Sequence, residues 1–153
     1  MKSYNNEREG QIDFFSTFRI DYKSNEVLID NTDGVWKGNL LEFKLVINNV
    51  SKVLFQAIKY LSKLRIKGAS IPANILLISL NEEICYVFNS QDYFEEIHKI
   101  YWGPASKNND VFISKSDCSI KIDLSTQIGQ ATIIELLRRK KYMPISIDEN
   151  CIV

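Results

Sequence analysis

Five residues in the first half of the chain have the types and spacing to do chemistry on a phosphate ester: Asp33, Glu42, Lys44, Gln56 and Tyr60. Hydrolysis of a phosphodiester asks for a divalent ion, a group that orients or activates water, and a cation facing the growing negative charge. Magnesium takes oxygen ligands and usually only one or two carboxylates, with water and substrate phosphate completing its shell. Asp33 and Glu42 supply two carboxylates, the backbone carbonyl of Phe43 a further oxygen, and Lys44 the cation. Glu42 and Lys44 are two residues apart, so on a strand they leave from one face. Gln56 and Tyr60 are one helical turn apart and share a helix face. A glutamine amide can position water or phosphate, but it is no general base at neutral pH.

An acid-x-Lys triplet arises easily by chance, and Asp21-Tyr22-Lys23 is a second one. Context separates the two. Glu42-Phe43-Lys44 lies in an apolar run, Asn39 to Ile47, that reads as a strand. Asp33 belongs to the turn signal Asn31-Thr-Asp-Gly34, with eight residues between it and Glu42. A helix must follow, capped by Asn48 or Asn49, ended by Gly68, and striped with Val50, Val53, Leu54, Ala57, Ile58, Leu61 and Leu64. Gln56 stands at the border of that stripe, which turns it toward the Glu42–Lys44 strand.

Around this centre the spacing predicts a first helix from about Asn6 to Phe18, with Ile12, Phe15 and Phe18 on one face. Glu26 to Asp30 reads as a short strand. Ile75 to Leu80 and Ile84 to Phe88 form a strand pair around the turn Asn81-Glu82-Glu83. Asp92 with Glu95 reads as a capping pair for a helix to about Tyr101. Short strands follow at Val111 to Ile113 and Ser119 to Leu124, then a last helix from about Ser125 to Lys141.

Taken in order, Asp33, Glu42-Phe43-Lys44 and Gln56-x-x-x-Tyr60 resemble the PD-(D/E)xK nuclease superfamily in its RecB-like variant. Thr32 stands before Asp33 where proline is common, and the RecB-like upstream histidine is absent, His98 being the only histidine. The resemblance covers about Glu7 to Gly68. It implies an α/β domain spanning 1–153, with a mixed central sheet flanked by helices, restriction-endonuclease-like. It implies magnesium-dependent DNA cleavage, with manganese as a substitute ion. Asp33 and Glu42 would then hold the metal, and Lys44 would assist the water or the transition state. A first-helix glutamate would lie near the metal, Glu9 with Glu7 behind it. DNA is the implied partner, in a restriction or other DNA-defence system. A methyltransferase or specificity domain, fused or separate, and a homodimer are compatible with that setting.

Charge placement points to the same partner. The net charge is zero, with 19 basic and 19 acidic residues, but no Asp or Glu occurs from Leu45 to Asn81. Lys52, Lys59, Lys63 and Lys67 lie there with Tyr60, and Lys107 follows in a polar loop, all candidates for phosphate contact. Arg138-Arg-Lys-Lys141 has a simpler reason, because cations suit a helix C-terminus. Each feature also has an ordinary structural reading: Asp33-Gly34 as a hairpin dipeptide, Glu42 and Lys44 as a solvated pair, and the lysines as a wet helix face. A catalytically silent nucleic-acid-binding module on the same fold is the alternative. The three cysteines have neither metal-site nor disulfide-framework spacing. The sequence shows no signal-peptide core and no membrane-span run, so a cytoplasmic protein without membrane contact is expected.

Overall fold

In the computed structural model the described residues are 3–20, 28–30, 33–99 and 120–138. Asn6 opens helix α1, Glu7–Thr17, its side chain accepting from the Glu9 amide at 2.8 Å. Three strands follow, β1 Leu28–Asp30, β2 Asp33–Trp36 and β3 Asn39–Lys44. Asn49 caps helix α2, Val50–Ile66, by accepting from the Lys52 amide at 3.1 Å. Gly68 closes it at φ 78°, a conformation that glycine adopts without penalty. Strands β4 Asn74–Ser79 and β5 Ile84–Asn89 form the expected hairpin. A 3₁₀ turn at Ser90–Tyr93, helix α3 Phe94–Lys99, strand β6 Ile120–Asp123 and helix α4 Gln127–Arg138 complete the described chain.

The six strands lie in the order β1-β2-β3-β4-β5-β6. Every neighbouring pair is antiparallel except β3 and β4, which are parallel. A parallel pair needs a crossover, and α2 supplies it. The fold is therefore α/β, a mixed sheet flanked by helices. Strand β4 is the centre: Ile75, Leu76, Leu77 and Ile78 are all fully buried. Alternate residues feed two cores, as the period of two requires. Leu40, Ile75 and Leu77 join Leu54, Ile58 and Leu61 on the α2 side. Leu41, Phe43, Leu76 and Ile78 join Phe14, Phe15 and Ile133 on the side of α1 and α4.

Several sequence expectations are corrected. Of the turn expected at Asn31 to Gly34, Asn31 and Thr32 lie outside the described residues, and Asp33 and Gly34 begin strand β2. The β2–β3 turn is Lys37-Gly38, with φ 47° and 80°, the left-handed pair that a two-residue hairpin demands. In α1, Phe14 and Phe15 are buried while Ile12 is 38% exposed. The cause is Gly10, where an added Cβ would stand 2.5 Å from Leu80 Cδ1, so the helix docks through its glycine side. Ahead of α3 a 3₁₀ turn intervenes that the sequence expectation did not include, capped by Asn89, which accepts from the Gln91 amide at 2.9 Å. The buried Ser90 fixes that start, its hydroxyl donating to Pro72 O at 2.7 Å. The strand expected at Val111 to Ile113 lies outside the described residues, as do Lys107 and Tyr101.

Candidate active site

The strand register brings the two proposed ligands into line. Asp33 is the Cα partner of Glu42 across the antiparallel β2–β3 pair. Directly opposed residues of such a pair belong to one face of the sheet. Glu42 shares that face with Leu40, hence with the α2 core, and is only 4% exposed. Lys44, two residues on, is half-buried on the same face. Phe43 holds this arrangement from behind. Its ring is fully buried on the opposite face, edge-on to Phe14 at 5.3 Å and to Phe15 at 5.7 Å. With Phe43 locked into the α1 layer, Glu42 and Lys44 have only the α2 side to leave by.

Among the described residues Phe43 and Lys44 have strand partners in β4. The carboxyl ends of the parallel pair β3 and β4 meet here, the position where open α/β sheets commonly take ligands. Backbone bonds clamp the two ends together: Leu80 N donates to Lys44 O at 2.9 Å and Asn81 N to Leu45 O at 2.9 Å. Ser79, the partner of Lys44, is fully buried, and its hydroxyl donates to Glu82 Oε1. The Ile47 amide donates to Ser79 Oγ at 3.2 Å and to Glu82 Oε1 at 3.3 Å. Glu82 thus brings a third carboxylate to the same end of the sheet. Sequence reasoning passed over it as part of a turn. No sequence signal marks it, because the parallel pairing of β3 and β4 is a tertiary fact.

Glu9 is not brought to Glu42. It is exposed on α1, which packs on the Phe43 side of the sheet, because Gly10 and Phe14 dock there. Its helix does start at the right end of the sheet: Tyr4 N donates to Asn81 Oδ1 at 2.8 Å, and Asn81 Nδ2 to Tyr4 O at 3.3 Å. Glu7 is half-buried on the same helix. Burial, then the hydrogen bond to Asp13 and the charges of Asp13, Glu83 and Glu9, push the Tyr4 phenol well above its usual range.

Gln56 is also corrected. It is exposed, not turned to β3. Phe55 and Ser62 are buried along with Val53, Leu54, Ala57, Ile58, Leu61 and Leu64. At ~100° per residue this broad arc places Gln56 ~160° from its centre, on the outer side of the helix. Lys52, Lys59, Lys63 and Lys67 occupy that outer side with it, Lys52 and Lys67 exposed and the other two half-buried. Lys59 Nζ lies 5.7 Å from the Phe55 ring and Lys63 Nζ 5.7 Å from that of Tyr60. Tyr60 is half-buried against the α2 core. The lysine strip spans ~22 Å at ~1.5 Å per residue. His98 is exposed, bonded through Nδ1 to Phe94 O at 2.9 Å.

A carboxylate as buried as Glu42 requires cations or hydrogen-bond donors around it. The donor set fits a hard oxygen-seeking ion, since magnesium needs few protein carboxylates. Among the described residues no group of three or more His, Cys, Asp or Glu forms a metal cage. No described helix is long and apolar enough to cross a membrane. No family model matches the chain, and neither a curated protein nor a solved structure matches it significantly.

Proposed function

We propose that this chain is a magnesium-dependent DNA endonuclease domain centred on Asp33, Glu42 and Lys44. The observation that carries the reading is the register: Asp33 opposes Glu42, with Lys44 on the same face at the carboxyl end of two parallel strands. Sequence order alone required none of this. Asp33 and Glu42 would hold the ion, with Phe43 offering its backbone carbonyl. Bound there, magnesium would polarise the phosphate and lower the pKa of water. Lys44 would face the phosphoryl oxygens with its ammonium. The buried setting strengthens that charge interaction relative to bulk water. The lysine strip of α2 would hold the backbone of the duplex without reading its sequence.

The test is nicking of supercoiled plasmid with magnesium or with chelator. The parent chain should nick only with the metal, and Asp33→Ala and Glu42→Ala should not nick while still melting cooperatively. Nicking by both variants at the parental rate would discard the assignment. The solvent-facing position of Gln56 among lysines favours a second reading, a silent nucleic-acid-binding module. It would bind the plasmid and never nick it.

A further inference from the structure

We infer that a second anion site lies at the far end of the sheet, between the C-terminal ends of α1 and α4 and the β2–β3 turn, and that it takes a phosphate group of a nucleic-acid strand. The inference shares with the nuclease reading only the class of ligand. A cavity of about 540 Å³ opens there, with Arg19, Lys37 and Arg138 on its walls and Phe18, Trp36 and Leu137 among its apolar lining. Among the described residues no Asp or Glu lines it. Lys37 lies five positions before Glu42 along the chain, ~17 Å at strand rise, so this is not the carboxylate site.

Two of the three cations stand where the backbone does not ask for them. Lys37 has φ 47° and Arg19 has φ 57°. Both are left-handed positions, one in a two-residue hairpin turn and one just past a helix end, where glycine or asparagine is favoured. Lysine and arginine there carry a conformational cost, and backbone geometry offers no return for it. Lys37 does lie 5.0 Å from the Trp36 ring, a contact worth under ~1 kcal/mol when exposed. Arg138 alone has a local reason, the negative end of α4. The helix ends themselves oppose anion binding with about half a negative charge each, against three full positive charges. The described lining is therefore positive.

Its walls are also fixed in place. The fully buried Asn39 donates through Nδ2 to Trp36 O at 3.1 Å, Lys37 O at 3.2 Å and Leu136 O at 3.2 Å. One side chain thus ties the hairpin turn to the last turn of α4. Clustered cations in space larger than a lone phosphate match the positive groove by which single strands are held.

The experiment compares the full chain with an Arg19→Asn/Lys37→Asn double variant. Asparagine keeps the left-handed conformation and removes the charge. Binding of a labelled single-stranded oligonucleotide is read by fluorescence anisotropy in chelator, across a range of salt. The double variant should melt at or above the parental temperature. It should bind about tenfold or more weakly at ~0.1 M salt, with a salt slope shallower by about one to two. Parental affinity and slope in the double variant would overturn the inference, as would a parent that does not bind. Competition by inorganic phosphate, at concentrations matched in phosphate, should be weak. Displacement as effective as that by the oligonucleotide would overturn the assignment to a strand. Because no metal is present, failure here leaves the nuclease reading intact, and loss of nicking leaves this one intact.

Discussion

Replacing Glu42 by glutamine should make the metal-free protein more stable and make it deaf to magnesium. Glutamine keeps the shape and hydrogen-bonding capacity of the side chain and removes its charge. Asp33 directly opposes Glu42 in the β2–β3 ladder, and opposed residues have Cβ atoms about 5 Å apart. If the proposed metal site brings the two carboxylates to that separation, an effective dielectric of about 20 gives a repulsion of about 3 kcal/mol. Well-solvated opposed charges cost less than about 1 kcal/mol. Glu42 is 4% exposed, so the relief should fall at about 1–3 kcal/mol. For a chain of this length each kcal/mol moves the melting midpoint by about 2–4 °C, giving a rise of about 2–12 °C in chelator. Magnesium at ten times its dissociation constant should stabilise the parent by about 1.4 kcal/mol, or about 3–6 °C. It should leave Glu42→Gln unmoved. Thermal unfolding followed by circular dichroism, each protein with and without the metal, reads all four midpoints. An equal magnesium shift in parent and variant would refute the role of Glu42, and a lower midpoint for Glu42→Gln in chelator would refute the repulsion.

Other expectations are simpler. Gln56→Ala should leave the single-turnover cleavage rate at saturating DNA within about twofold and stability within about 0.5 kcal/mol, because the side chain faces solvent; a tenfold loss of rate would return Gln56 to the chemical step. Gly129→Ala should be costly, since the new Cβ would stand 1.8 Å from the Asp123 carbonyl oxygen, a backbone atom that cannot swing aside. Overpacking of about 2–3 kcal/mol would lower the midpoint by about 4–12 °C, and an unchanged midpoint would show that the β6–α4 joint is looser than described. Cys85 is fully buried, and burial pushes its thiol far above the usual range. In a Cys118→Ser, Cys151→Ser background it should react with a disulfide reagent only as fast as the protein unfolds; prompt labelling of the native protein would contradict its burial.

Much of the frame around the site could be read from residue types. Asn49, Gly68 and the apolar stripe between them define α2, and the unbroken Ile75–Ile78 run marks a strand buried on both faces. Strand β2 was hidden because Asp33-Gly34 has turn chemistry. The turn that follows β2 puts a lysine where asparagine or glycine is usual. Gln56 went astray for a different reason. Whether Phe55 and Ser62 belong to the buried arc depends on what α2 packs against, including Tyr93 and Ile97, and that is a tertiary fact. The same holds for Glu9, whose layer is set by Gly10 meeting Leu80. Glu82 needed the parallel β3–β4 pairing before its bond to Ser79, the strand partner of Lys44, could be noticed.

The central claim is that Asp33 and Glu42 act as one unit on one ion, and a double-mutant cycle on the cleavage rate tests it most directly. Single-turnover cleavage of duplex DNA in magnesium would be measured for the parent, Asp33→Asn, Glu42→Gln and the double variant. Residues that share one function are strongly non-additive, so either single change should cost nearly as much as both together. A parent that does not cleave, or single losses that multiply in the double variant, would contradict it.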